Sequence, residues 1–385
     1  MIDTPVTASL LHGVAELEPT ERGLRLHRLP AWARAQAPDP QLIMVEAQPS
    51  GVRLAVRTRA TVVELDTLRT TTAYLGAPAR PAGTYDLVVD GSFVDQHQSS
   101  GGDVMTIDLA SGTTTREQGP VGTVRFDGLP DRLKRLEIWL PWNEETRLLA
   151  LRTDAPVEPV GTDGRRGWVH HGSSISHGSD AASPTGTWPA RAALQSDVDL
   201  TNLGLGGSAL LDPCVARVVR DTPADLISLK LGINLVNTDL MRLRAFGPAV
   251  HGFLDTVREG RPDTPLLVVS PIWCGIHEQT PGPSTLDEEA LGAGTVRFRA
   301  TGDPAEATTG RLTLRVIRDE LARVVAQRSA SDPHLSYLDG LELYGEVDTA
   351  AHPLPDALHP DAETHRLIGD RFAERVFGPG GPFAA

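Results

Sequence analysis

The stretch GWVHHGSSISHG, residues 167–178, reads as a short buried strand that breaks into a loop of small and hydroxyl residues. Two adjacent serines, Ser173 and Ser174, stand where the chain must turn. Either they cap the element that follows, or one of them is a nucleophile.

Downstream of Gly167, short apolar strands alternate with amphipathic helices. The strands are WVHHG, DLTNLGL, DLISLKLGIN, PLLVVSPI and LSYLDG. One helical stripe joins Phe246, Val250, Phe253, Leu254 and Val257 at spacings that cover a single face. A second joins Leu314, Ile317, Leu321, Val324 and Val325, and a third buries Ile368, Phe372 and Val376. Such alternation predicts a parallel sheet covered on both sides. Ligands of these sheets bind beyond the carboxyl ends of the strands, so the loop after each strand is where chemistry is sought.

Upstream, roughly the first 155 residues follow a period of two. In GVRLAVRTR, Val52, Leu54 and Val56 share one face, and Arg53 and Arg57 take the other. The pattern recurs at Val124 and Phe126 and at Leu136, Ile138 and Leu140. Asp90-Gly91 suits a hairpin turn that needs positive φ at both centres. Many short strands with almost no helical stripe predict an all-β, jelly-roll-like sandwich. The Pro-, Gly- and Asp-rich segment 153–166 is the natural linker, which divides the chain into residues 1–160 and 161–385. Residues 275–310 lack periodicity, as expected of a lid or substrate loop.

Composition narrows the function classes. The 385 residues are 40% hydrophobic and 22% charged, ordinary for a globular chain that exceeds one core. The formal net charge of -14, with no Lys/Arg cluster, disfavours nucleic acid as a partner. No run approaches the roughly 18 apolar residues of a membrane span, and Met1–Gly13 has no secretory pattern, which points to the cytoplasm. Two cysteines, Cys214 and Cys274, are too few for a disulfide framework or a Cys-based zinc site and read as small buried side chains. The histidines His170, His171, His177, His277, His352 and His365 form no metal-ligand pattern and read as surface or hydrogen-bonded structural groups.

The polar residues at the strand ends fall in an informative order. After Ser173-Ser174 come Gly206-Gly207 in NLGLGGSA, then Asn234 closing LGIN, then Asp356 three residues before His359 in PLPDALHP. The glycine pair lacks the lysine and Ser/Thr of a phosphate loop. This series resembles the SGNH (GDSL-type) hydrolase superfamily over about residues 167–377. The resemblance implies a flavodoxin-like three-layer α/β domain, here behind the β-sandwich that some bacterial SGNH esterases of acylated sugars carry. It maps the nucleophile to Ser174, the triad partners to His359 and Asp356, and the oxyanion hole to Ser174, Gly207 and Asn234. The family's Gly-Asp-Ser becomes Gly172-Ser173-Ser174, so Ser173 stands where the aspartate normally helps hold the loop.

The chemistry agrees with the residue types. A serine hydroxyl needs a base, and imidazole titrates near neutrality. A carboxylate three residues away would fix its tautomer. Backbone N–H groups and the Asn234 amide would meet the developing oxyanion. No cofactor or metal is required. The expected reaction is hydrolysis of a small-molecule or carbohydrate ester through an acyl-serine, with short acyl groups favoured. Lactone or depsipeptide opening, or acyl transfer, would use the same residues. A non-catalytic carbohydrate-binding protein is the reading from another class. Ser173 and Trp273 are candidate pocket residues, and Trp188 is expected to anchor the first helix to the sheet.

Overall fold

The computed structural model describes residues 1–76, 78, 80–108 and 111–384. The five predicted strands of the second half form one parallel sheet: β1 (Gly167–Gly172), β2 (Asp199–Gly204), β3 (Leu226–Lys230), β4 (Leu266–Val269) and β5 (Leu335–Leu338), in the order β2-β1-β3-β4-β5. Strand order reverses at β1, so the loop after β1 opens at the switch point. Alternate residues serve opposite faces. Ile227 and Leu229 of β3 pack toward helices Pro213–Asp221, Leu243–Gly260 and Leu314–Arg328, and Leu226 packs with Trp168 toward Trp188–Gln195 and Ala362–Phe372. The three apolar stripes read from the sequence are buried. Each such side chain contributes roughly 2 kcal/mol relative to exposure. Trp188 is fully buried against Trp168 and Phe372.

The first half is a β-sandwich. Among the described residues, one sheet has eight strands, with Val63–Tyr74 and Glu145–Thr153 at its centre; the other has six, centred on Arg53–Thr58 and Lys134–Trp139. Leu54, Val56, Leu136 and Ile138 meet Leu65, Val124, Phe126, Leu148 and Leu151 between the sheets. The Asp90-Gly91 turn joins Thr84–Val89 to Ser92–Gln98 with φ of 49° and 80° at its two centres, the left-handed pair expected there. The last sandwich strand is Val157–Pro159, and β1 begins at Gly167.

Three features depart from the sequence reading. Helices Ala31–Gln36 and Pro40–Glu46 interrupt the β-half, and Leu29, Ala33, Leu42 and Val45 belong to the core of the parallel-sheet half. Both helices are too short to show periodicity, although Asp39-Pro40 carries a cap signal and the Asp39 carboxylate does accept the Leu42 N–H. Arg53, expected on a solvated face, is fully buried: it pairs with Asp199, donates to Leu200 O at 3.0 Å and lies over the Trp139 ring. The irregular segment 275–310 contains a hairpin, Ser284–Leu286 with Phe298–Ala300, and a short helix Glu288–Gly292.

The halves meet along a polar seam. The Arg28 guanidinium donates to Asn202 O (2.9 Å), Gly204 O (2.7 Å) and Val45 O (2.6 Å). Ser50 Oγ donates to His177 O at 2.5 Å, and Asp86 accepts from Ser183 and Thr185 hydroxyls, each at 2.6 Å. The approach is tight at Gly51, where a Cβ would fall 2.7 Å from Asn202 Cβ. No helix among the described residues is long and apolar enough to cross a membrane.

Candidate active site

Ser174 is the first residue of a single-turn helix, Ser174–His177, that starts directly beyond β1. The helix ends at Gly178, whose φ of 115° favours glycine. The other two polar residues come from the loop ahead of the last helix, 185 positions away. His359 Nε2 lies 2.9 Å from Ser174 Oγ, and His359 Nδ1 lies 2.6 Å from Asp356 Oδ2. With Nδ1–H donating to the carboxylate, Nε2 is left to accept the serine proton. The second Asp356 oxygen accepts the N–H groups of Leu358 (2.8 Å) and His359 (2.6 Å), and Ala357 between them is left-handed, φ 69°. Burial alone would raise the Asp356 pKa; the hydrogen bond and charge of His359 and the two N–H groups outweigh it and hold the carboxyl below its ordinary value. A charged acceptor therefore faces the imidazole throughout the neutral range.

The donors proposed for an oxyanion sit on the neighbouring strand ends. Gly206 packs on Ser174: a Cβ built there would lie 3.8 Å from the serine Cα and Cβ. Gly207 has φ of 73°. Among the described residues no backbone carbonyl accepts the N–H of Gly207 or of Ser174. Asn234 Oδ1 accepts Ala209 N–H at 3.1 Å, which fixes the amide with its NH2 as the remaining donor group.

The other predicted residues separate. Ser173 is buried, and its Oγ has no hydrogen-bond partner among the described residues. The Ser173 hydroxyl therefore does not hold the loop; Arg28 and Ser50 brace the adjoining helix. Trp273 is half-buried against the Trp168–Trp188 core, with its backbone N–H donating to Tyr344 O at 3.0 Å. Both cysteines are free and buried, and burial pushes the Cys274 thiol up to about 12. Cys274 Sγ contacts Ala357 O at 3.3 Å and so supports the loop that carries Asp356 and His359.

Five of the scattered histidines are buried, none of them on the surface. His170 bridges Ser228 Oγ (2.7 Å) and Ser176 Oγ (2.8 Å). His171 Nδ1–H donates to Leu203 O at 2.8 Å, and His365 reaches Ser179 O at 2.9 Å. His177 Nε2–H donates to Trp142 O at 2.6 Å, and its Nδ1 accepts from Arg28 Nη2. Burial lowers the pKa of His171 and His365 to about 4 and of His177 to about 3, so these rings are neutral braces for helix Ser174–His177 and its neighbours.

Two neighbours escaped the sequence reading. Asp180 places a carboxylate oxygen within 4.8 Å of Asp356 and His359 ligand atoms. Both His359 nitrogens are engaged, so a cation held by these three residues would take the imidazole from the serine. Phe298, from the hairpin, meets the His359 ring edge-on at 5.8 Å and donates its N–H to Asp356 O at 2.8 Å. A cavity of about 620 Å³ lies elsewhere, between the halves near the amino ends of β1 and β2; His12, Trp32 and Asp225 line it, and Ser174, His359 and Asp356 do not.

Comparison with known proteins points the same way. Residues 166–275 match the GDSL-like Lipase/Acylhydrolase family. No curated protein matches the chain in sequence. Among solved structures, the salicylyl-acyltransferase SsfX3 from a tetracycline biosynthetic pathway is 26% identical, with a TM-score of 0.76 over 97% of this chain and 96% of that one. A family two carbohydrate esterase from Clostridium thermocellum, in complex with cellohexaose, is 14% identical, with a TM-score of 0.53 over 84% of this chain and 91% of that one. The acetyl xylan esterase Est2A from Butyrivibrio proteoclasticus is 10% identical, with a TM-score of 0.51 over 96% and 95%. The last two similarities speak to fold alone.

Proposed function

We propose that the chain, whose residues 166–275 match the GDSL-like Lipase/Acylhydrolase family, is a serine ester hydrolase of the SGNH (GDSL-type) superfamily in which Ser174 is the nucleophile, His359 the base and Asp356 the orienting carboxylate. The observation that carries this reading is the continuous relay from Asp356 Oδ2 through both His359 nitrogens to Ser174 Oγ. His359 Nε2 takes the hydroxyl proton as Oγ attacks the ester carbonyl. The tetrahedral oxyanion is met by Ser174 N–H, Gly207 N–H and the Asn234 amide. The imidazolium returns its proton to the alkoxide, which leaves as the alcohol, and an acyl-serine remains. Water then repeats the cycle and releases the acid. Each oxyanion donor is worth about 3–4 kcal/mol of barrier.

The substrate we propose is an ester of a short acyl group on a carbohydrate or small metabolite, consistent with the sugar-ester neighbours. The same acyl-serine passes its acyl group to an alcohol when one reaches it before water. The acyltransferase that resembles this chain across both halves favours that second outcome. A fluorophosphonate probe tests the reading: labelling confined to Ser174 and lost in His359→Ala supports it, and no labelling of the folded protein favours a binding module. Adding alcohol acceptors to a 4-nitrophenyl acetate assay and measuring acid against new ester then separates hydrolysis from transfer.

A further inference from the structure

We propose that Gln41, supplied by the first half of the chain, is a positioning residue that locks the Gly206–Gly207 peptide with its N–H toward the oxyanion; the inference rests on the role proposed for Gly207.

Gln41 lies in the first turn of helix Pro40–Glu46, which Asp39 caps and which Leu42 and Val45 anchor in the core of the parallel-sheet half. Its Nε2 donates to Gly206 O at 2.9 Å. That carbonyl and the Gly207 N–H belong to one planar trans peptide and point in opposite directions. Holding the oxygen on the Gln41 side therefore turns the N–H away from Gln41, where no backbone carbonyl meets it. A Cβ on Gly207 would sit 3.3 Å from Gln41 Cγ and Nε2, so the glutamine stem packs directly over this glycine. Val45 of the same helix approaches Gly206, with Cγ1 3.6 Å from a Cβ built there.

Such a lock is needed because a peptide between two glycines turns over readily, both flanking residues being free of the Cβ restriction. A reversed peptide would present a carbonyl oxygen to the oxyanion and replace a donor with a repelling dipole. A hydrogen bond to the carbonyl also polarises the amide and strengthens the N–H as a donor. The second short helix within the β-half thus has a catalytic consequence: it carries a side chain across the seam onto the oxyanion loop.

The test uses the full chain with Gln41→Ala and Gln41→Glu, the latter keeping the stem but lacking the donor. Expected is a roughly tenfold fall in kcat on 4-nitrophenyl acetate, smaller than the 10²–10³ of deleting a donor outright. KM and melting temperature should stay near wild type, and affinity for a trifluoromethyl ketone, which forms the tetrahedral adduct, should fall in step with kcat. Activities of both variants within twofold of wild type overturn the proposal. So does a loss that tracks a lowered melting temperature or appears in KM. A wild type that takes no fluorophosphonate at Ser174 overturns the underlying reading as well, whereas a labelled wild type with unaffected variants overturns the role of Gln41 alone.

Discussion

Arg28 Nη2 stands 3.1 Å from His177 Nδ1, joining a fully buried guanidinium of the sandwich half to the last residue of the helix that Ser174 begins. Burial lowers the Arg28 pKa to about 10, partly offset by Glu46, so the group is charged at neutral pH. Arg28→Leu would remove the guanidinium donor from three buried carbonyls. The expected loss is on the order of 3–5 kcal/mol of unfolding free energy, measured by urea denaturation, together with lower activity under conditions where the variant is still folded.

The two serines of the opening motif should respond oppositely. Ser174→Ala is expected to abolish ester hydrolysis. Ser173→Ala removes a buried hydroxyl that has no partner, so stability should change by less than about 1 kcal/mol and kcat/KM by less than a few-fold. Inactivation by Ser173→Ala would contradict this assignment.

Asp356→Asn keeps an oxygen for the Leu358 and His359 N–H groups but presents an NH2 to His359 Nδ1. The imidazole then favours the tautomer with Nε2 protonated, which cannot accept from serine. A fall in kcat of about 10³–10⁴ with an unaltered melting temperature is expected.

Buried histidines make the fold sensitive to mild acid. His171, His177 and His365 are held neutral with folded pKa values of about 4, 3 and 4, below the ordinary 6.5. Between pH 6.5 and pH 4 the unfolded chain binds more protons than the folded one, so stability falls as pH falls through that window. The loss from pH 7 to pH 5 should be roughly 1–2 kcal/mol per histidine, read as a drop in urea midpoint. A midpoint that holds or rises would contradict the neutral assignment.

Lys230 ends β3 at 3% exposure, and burial lowers its pKa to about 8. The unfolded chain carries the extra proton between pH 8 and 10.5, so this lysine makes stability rise with pH across that range. Lys230→Met should remove the rise and stabilise the fold at pH 7 by about 1–3 kcal/mol; a lowered melting temperature would count against it.

The parallel sheet was legible because each strand is an apolar run closed by Gly, Asn, Asp or Ser-Pro, and three of its helices were legible because 11 to 18 residues show their period. The triad residues were readable as types at strand ends, since Asp356 and His359 share one loop. What stayed hidden depends on contacts across long separations. Arg53 alternates like a solvated residue, and partners far along the chain, Asp199, Leu200 and Trp139, explain its burial. Helices of six and seven residues and three-residue hairpin strands are below the length at which periodicity can be counted. Asp180 and Phe298 carry no local signal at all.

The hydrogen bonds of Arg28, Arg53, Ser50 and Gln41 across the seam end largely on main-chain oxygens of the second half. Main-chain oxygens survive any substitution on that side. Mutational drift of the hydrolase side chains therefore spares these particular bonds, whereas exchange of Arg28, Arg53 or Ser50 on the sandwich side removes them. A chimera that swaps the hydrolase for a distant homologue should assemble, and the reciprocal swap of the sandwich should not unless those four residues travel with it.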